Sequence, residues 1–241
     1  MPMDINCDMG ESFGAFRVGN DQEILRYVTS INIACGFHAG DPMIMRQTVR
    51  HAITNNVKIG AHPGYPDLQG FGRRNMEFTP EEIYNMMIYQ VGALKAFVDI
   101  EGGELHHVKP HGALYNQSAN DAVKAQAVID AVYDLGPNLI LYCLSGSLIA
   151  KMAKDKGLAV YEEAFSDRNY NDDGTLVSRS FDNALIEGED AMLEHVSRII
   201  LSNEVMTVQN KVIKLNAQTL CIHGDGGHAL EFAKKISKLN K

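Results

Sequence analysis

The chain lacks the features that would direct it to nucleic acid, a membrane or an oxidising compartment. Its 22 Lys and Arg are outnumbered by 30 Asp and Glu, for a net charge of -8. No basic block hides within that balance, which argues against nucleic acid or an anionic membrane as the main partner. No apolar run approaches membrane-spanning length, and the opening MPMDINCDMG has neither the basic nor the long apolar region of a signal peptide. The cytosol is therefore the expected compartment. The 4 cysteines, Cys7, Cys35, Cys143 and Cys221, lie in apolar runs with no CxxC pair. They read as small buried hydrophobes, a reactive thiol being the minor alternative. Also absent are a GxxxxGK[ST] phosphate loop, a GxGxxG fingerprint and a GxSxG elbow. Any ATP-dependent chemistry would need the nucleotide to bind by another route or on a partner.

Six short apolar runs stand out, each ending in ionisable residues. Five are INCDMGE, INIACGFHAGD, VKIGAHPGYPD, HHVKPHGALYN and LCIHGDGG; the sixth, LAVYEEAFSDRNY, ends in mixed charge. No linker or low-complexity stretch divides the 241 residues, so one domain over 1–241 is expected. A strand-then-helix rhythm predicts seven units. Strands are expected near 3–8, 30–36, 57–61, 105–109, 139–144, 158–161 and 218–222. Helices follow near 20–30, 42–55, 80–100, up to Gly136-Pro137, up to Gly157, over 188–202 and at the C-terminus, with an irregular polar stretch over 162–187. Asp41-Pro42 and Thr79-Pro80-Glu81-Glu82 are helix-start signals, the latter a capping box. VMTVQNKVIKL reads as a small hairpin turning near Gln209-Asn210-Lys211.

The strand parities carry more than the strand count. Asp4, Asn6 and Asp8 share a face opposite Ile5 and Cys7, and Asn32, Ala34, Gly36 and His38 oppose Ile31, Ile33, Cys35 and Phe37. Lys58, Gly60 and His62 share one parity, as do His107, Lys109 and His111, and Cys221, His223 and Asp225. Successive strand residues point to opposite faces, so one face is apolar and suited to pack under helices, while the other is small or polar. An open doubly wound sheet would bury both faces and want both apolar. The pattern predicts a closed or nearly closed α/β barrel, (β/α)7-type and TIM-like, with its ionisable tips at one mouth.

Asp8 and Glu11 could divide acid and base roles or hold a metal; the bland alternative is a solvated turn. His38 has the polar parity at a strand end, whereas Asp41 reads better as a cap. His62 is followed by a loop stiffened by Pro63, Gly64 and Pro66. Arg73 and Arg74 could grip a carboxylate or phosphate, although Arg74 reads as a surface charge. Lys109 on an inward parity needs a carboxylate partner or an anionic substrate, and with His111 it suggests an electrophile beside a proton carrier. His106 and His107 read as structural. Arg168 and Arg179 could each hold a substrate carboxylate, and Asn6 joins them as a substrate-binding candidate. His223 and Asp225 lie among glycines at a helix start, where an anion is favoured; His228 reads as first-turn surface.

The blocks DINCDMGESFG, NIACGFHAGDP, GAHPGYPDLQGFGRR, VKPHGALYN, AFSDRNY and CIHGDG resemble the LamB/YcsF family over about residues 4–228. The resemblance implies a (β/α) barrel related to the glycoside hydrolase/deacetylase superfamily. It also implies ATP-dependent opening of 5-oxo-L-proline to L-glutamate, with ADP and phosphate as the other products. B and C partner subunits of a 5-oxoprolinase are implied too, and a homo-oligomer stays open. Catalytic candidates are then Asp8, Glu11, His38, His62, Lys109, His111, His223 and Asp225, and substrate-binding candidates are Asn6, Arg73, Arg168 and Arg179. Deacetylase relatives hold a divalent metal through an Asp and two His, which points to Asp8, His38 and His62, although the HxxxH stretch of those relatives is absent here. Two rival functions stay open: a metal-dependent deacetylase or amidohydrolase needing no ATP, and a non-catalytic lactam-binding subunit.

Overall fold

Parallel pairing of seven strands closes the expected barrel. The computed structural model describes residues 2–19, 21–223 and 229–240. In chain order the elements are β1 (Asp4–Met9), α1 (Asp21–Ile24), β2 (Ser30–Ala34), α2 (Pro42–Thr54), β3 (Lys58–His62), α3 (Pro80–Ile100), β4 (Leu105–Val108), α4 (Gly112–Ser118) and α5 (Ala122–Leu135). They continue with β5 (Ile140–Leu144), α6 (Leu148–Lys156), β6 (Ala159–Phe165), α7 (Glu189–Ser202), β7 (Glu204–Met206), β8 (Val212–Lys214), β9 (Thr219–Ile222) and α8 (Ala229–Leu239). The barrel runs β1-β2-β3-β4-β5-β6-β9, with β7 and β8 forming the separate antiparallel hairpin. Among the described residues no helix is long and apolar enough to cross a membrane.

The two parities separate as the alternation requires. Outward, Ile5, Cys7, Ile31, Ile33, Ile59, Leu141, Leu220 and Ile222 are buried and join the core that also takes in Met45, Val49 and Ala52 of α2 and Met87, Val91 and Leu94 of α3. Each Ile, Leu, Val or Met among them contributes roughly 1.5–3 kcal/mol relative to an exposed one. All four cysteines are buried free thiols.

Inward, the lower half of the barrel is filled by a closed hydrogen-bond network. The Asp4 carboxylate accepts from Thr29 Oγ1 (2.6 Å), Ser30 Oγ (2.8 Å), Thr219 Oγ1 (2.7 Å) and Tyr142 OH (3.0 Å). Asn6 donates through Nδ2 to Thr219 Oγ1 (2.7 Å) and Glu163 Oε1 (2.9 Å), and its Oδ1 accepts from Asn32 Nδ2 (2.7 Å). His107 Nε2 donates to Asn32 Oδ1 (2.7 Å), and its ring stacks on Tyr142 with centroids 3.9 Å apart. Gly60 makes room for that ring, because a Cβ there would lie 2.0 Å from His107 Nε2. Asn6, expected as a substrate-binding candidate, is fully buried in this layer and hydrogen-bonded to Thr219, Glu163 and Asn32, below the residues that line the cavity.

Several boundaries differ from expectation. The first helix is only α1 plus a 3-10 turn over Leu25–Tyr27. The single helix expected before Gly136 is two, because Asp121 caps a fresh start by accepting from Val123 N and Lys124 N. β6 extends to Phe165, well past the expected end at 161, because both its glutamates are buried with partners. Glu162 accepts from Ser145 Oγ and Gly146 N on the outer face, and Glu163 points inward. Asp41 caps α2 by accepting from Met43 N and Ile44 N, and Thr79 with Glu82 forms the capping box that starts α3.

Candidate active site

Above the sealed layer the inward residues become acids, imidazoles and a lysine. They end at a cavity of about 610 Å³ lined by Asp8, Glu11, His62, Lys109, His111 and His223, with Arg73, Arg168 and Arg179 around it. That volume suits a small metabolite. Asp8, Glu11, His38, His62, Lys109 and His111 are gathered as expected. Asp225 and His228 lie outside the described residues.

Lys109 is the pivot. Its Nζ donates to Asp8 Oδ1 (3.0 Å), Asn6 Oδ1 (3.2 Å) and Cys221 Sγ (3.1 Å), and pairs with Glu163 Oε1 at 2.9 Å. Burial opposes its charge, but Asp8, Cys221 and Glu163 together outweigh burial and hold the ammonium well above the ordinary lysine value. Glu163 escapes a reading of the sequence, because YEE looks like a solvated pair. Only a strand four residues longer reveals its shared parity with Tyr161 and Phe165. Burial also works against the Asp8 charge, yet His62 and Lys109 prevail and hold the carboxyl well below its usual range. Asp8 Oδ1 accepts further from Asn32 Nδ2 (2.8 Å), and Oδ2 lies 3.4 Å from His62 Nε2.

The histidines are fixed from outside. His62 Nδ1 lies 2.7 Å from the Lys109 carbonyl and His111 Nε2 lies 2.8 Å from the Phe71 carbonyl. A carbonyl only accepts, so both outward nitrogens carry hydrogen. Phe71 adopts φ of +54°, a conformation uncommon for a bulky residue, and this presents its carbonyl to His111. The inner nitrogens, His62 Nε2 and His111 Nδ1, face one another at 2.9 Å. His38 stacks on His111 with ring centroids 3.6 Å apart. It is fully buried, and neither of its ring nitrogens has a hydrogen-bond partner among the described residues. Burial, reinforced by the charge of His62, holds His38 well below the ordinary histidine value, and burial does the same for His111.

Beside Asp8 the cavity wall becomes cationic. His223 Nδ1 donates to Asp167 Oδ2 (2.8 Å), and Arg179 Nη2 lies 3.5 Å from His223 Nε2. Burial alone would lower the His223 value, but the Asp167 carboxylate outweighs it and raises the imidazole. Asp167 is a further residue missing from the sequence expectations; its place beside Arg168 is the available signal. Arg73 stacks over the Phe71 ring at 5.0 Å. Arg168 donates to the carbonyls of Val177 (2.6 Å) and Ala184 (3.4 Å), so it organises the 166–188 segment while lining the cavity. Arg74 pairs with Asp67 as a surface charge.

The metal expectation shifts with this geometry. Donor atoms of Glu11, His38, His62 and His111 lie within 4.8 Å of one another, whereas Asp8 groups instead with Cys221 and His223. Asp8 is therefore not with His38 in one donor set, because its carboxylate lies deeper and is engaged by Lys109 and Asn32.

A closed parallel α/β barrel whose carboxyl-end mouth gathers acids, imidazoles and a lysine about a cavity belongs to the class of barrel proteins with an enzyme-type site. Within that class, the chain belongs to the LamB/YcsF family, which it matches over residues 3–241. It is 54% identical over 234 residues to the 5-oxoprolinase A component of Brevibacillus brevis, across 97% of this chain and 92% of that protein. It is 53% identical over 236 residues to the corresponding 5-oxoprolinase component of Bacillus subtilis, across 98% and 92%. The crystal structure of a lactam utilization protein from Thermus thermophilus superposes with a TM-score of 0.92 at 43% identity, covering 99% of this chain and 96% of that one.

Proposed function

We propose that this chain acts as the A component of a 5-oxoprolinase. With B and C partners it opens the lactam of 5-oxo-L-proline to L-glutamate at the expense of ATP. The observation that carries this reading is the cavity, which brings ionised Asp8 and the imidazoles together with the cationic groups of His223, Arg73 and Arg179.

A five-membered lactam is a stable amide and needs activation before water can open it. In the overall reaction the terminal phosphoryl group of ATP passes to the lactam oxygen and ADP leaves. One water adds to the ring carbon, the C–N bond breaks, and its electron pair takes a proton to become the amine. A second water releases phosphate from the resulting acyl phosphate. Nucleotide handling falls to the partner subunits, and ring opening falls to this chain. The arginines and His223 hold the anionic groups, as planar guanidinium donors suit carboxylate and phosphate. Asp8, kept ionised, orients the attacking water. Lys109 acts as a positioning residue, because Asp8 and Glu163 already neutralise its charge.

The test is glutamate release by the purified chain with its B and C partners, 5-oxoproline and ATP. The reading predicts release only when every component is present. Release by this chain without ATP would instead identify a stand-alone amidohydrolase, and no release from the complete mixture would refute the proposal.

A further inference from the structure

We propose that Arg168 is a positioning residue that clamps the loop over 178–183, so that Arg179 meets the carboxylate of the substrate at the cavity wall. The choice of carboxylate rests on the lactam reading above, and the clamp stands without it.

Arg168 is 5% exposed, and among the described residues its side chain bonds two backbone carbonyls and no carboxylate. A buried guanidinium is costly unless neutral acceptors or an anion meet its donors. Nη2 donates to the Val177 carbonyl at 2.6 Å and Nε to the Ala184 carbonyl at 3.4 Å. Val177 and Ala184 are the two feet of the loop, so one planar group fixes the distance between them. Asn169 ties the same feet beside it. Its backbone N donates to the Ala184 carbonyl (3.1 Å), its carbonyl accepts from Val177 N (3.0 Å), and its Nδ2 donates to the Asn183 carbonyl (2.9 Å). The six residues between the feet are all exposed. Burial therefore does little to hold them, and the loop takes its shape from its base.

That loop carries Arg179 to the cavity, with Nη2 3.5 Å from His223 Nε2. His223 is in turn held by Asp167, the residue before Arg168. Three consecutive residues thus set both cationic groups: Asp167 orients the imidazole, while Arg168 and Asn169 fix the loop. Burial, with the charge of Arg179, lowers the Arg168 value to about 10, which leaves it ionised at neutral pH. The two guanidinium charges oppose one another, and an anion bound at Arg179 relieves that opposition. Lysine at 168 would keep the charge, but its single ammonium lacks the rigid fork that spans both carbonyls.

The test is a double-mutant cycle on glutamate release by the complete complex with ATP, reading KM for 5-oxoproline and kcat separately. A contact to a carboxylate that does not react serves ground and transition states alike. Arg179→Met should therefore raise KM about tenfold or more with kcat within about twofold. Arg168→Lys should raise KM about threefold to tenfold, again with kcat per folded chain held. In the Arg179→Met background, Arg168→Lys should add nothing to KM. In the isolated chain, amide hydrogen exchange over 178–185 should quicken about tenfold in Arg168→Lys and stay unchanged in Arg179→Met. An unchanged KM in Arg168→Lys, a full additional rise in the double variant, or unaltered exchange would overturn the proposal. A wild-type complex that releases no glutamate refutes the lactam reading instead, and the exchange comparison then decides the clamp alone.

Discussion

The lower and upper halves of the barrel interior follow one rule of alternation and reach opposite ends. Below, Asp4, Asn6, Ser30, Asn32, His107 and Thr219 are buried polar groups whose partners are all internal. Above, Asp8, Glu11, His62 and His111 open to a cavity, and His38 is buried without a hydrogen-bond partner among the described residues. A satisfied polar network gives the lower layer a single arrangement. The upper layer is incomplete without something from outside, and that incompleteness is the physical signature of a site.

Lys109 joins the halves, so its replacement should have the largest effect. Lys109→Met leaves Asp8 and Glu163 buried without their shared cation. We expect a loss of about 3–5 kcal/mol in urea denaturation and no glutamate release; full activity in a folded variant would separate the layers entirely. Thr219→Val acts only below. It removes a donor to Asp4 and an acceptor for Asn6 and should cost about 1–3 kcal/mol, with turnover per folded chain unchanged. His38→Leu acts only above. Because it deletes buried nitrogens that have no hydrogen-bond partner among the described residues, stability should stay within about 1 kcal/mol or rise; a larger loss would mean that the upper layer is as satisfied as the lower.

The smallest expected effect is on the pH dependence of stability. Burial holds His195 below its ordinary value. As pH falls below about 6.5 the unfolded chain takes up this proton before the folded one, so stability falls with falling pH. His38, His107 and His111 act in the same direction. His223 has the opposite sign. Its stabilisation by Asp167 is present below the unfolded value and lost as pH rises through the raised folded value. His195→Gln should flatten the acid limb of a urea-midpoint titration by one proton without changing its neutral plateau.

Much of this contrast is legible in the sequence. Strand parity puts Asp8, His62, Lys109 and His111 at one mouth because period-two alternation survives without an alignment. Depth is not legible. Asn6 and Asp8 share a face two residues apart, yet one is sealed and the other opens to the cavity, and only the closure of the barrel decides which. For the same reason Glu11, beyond the strand, joins the imidazoles in the place expected for Asp8. Glu163 is hidden because adjacent glutamates look solvated until β6 is known to continue. The split between α4 and α5 is written in Asp121 but masked by the apolar residues on either side.

The most direct test of where the chemistry resides is glutamate release per folded chain by Asp8→Asn, assayed with both partner subunits, ATP and 5-oxoproline. Removing the ionised carboxylate from the cavity wall should lower the rate about a hundredfold or more while the barrel stays folded. A folded Asp8→Asn complex that turns over at the wild-type rate would contradict the placement of the reaction at this mouth.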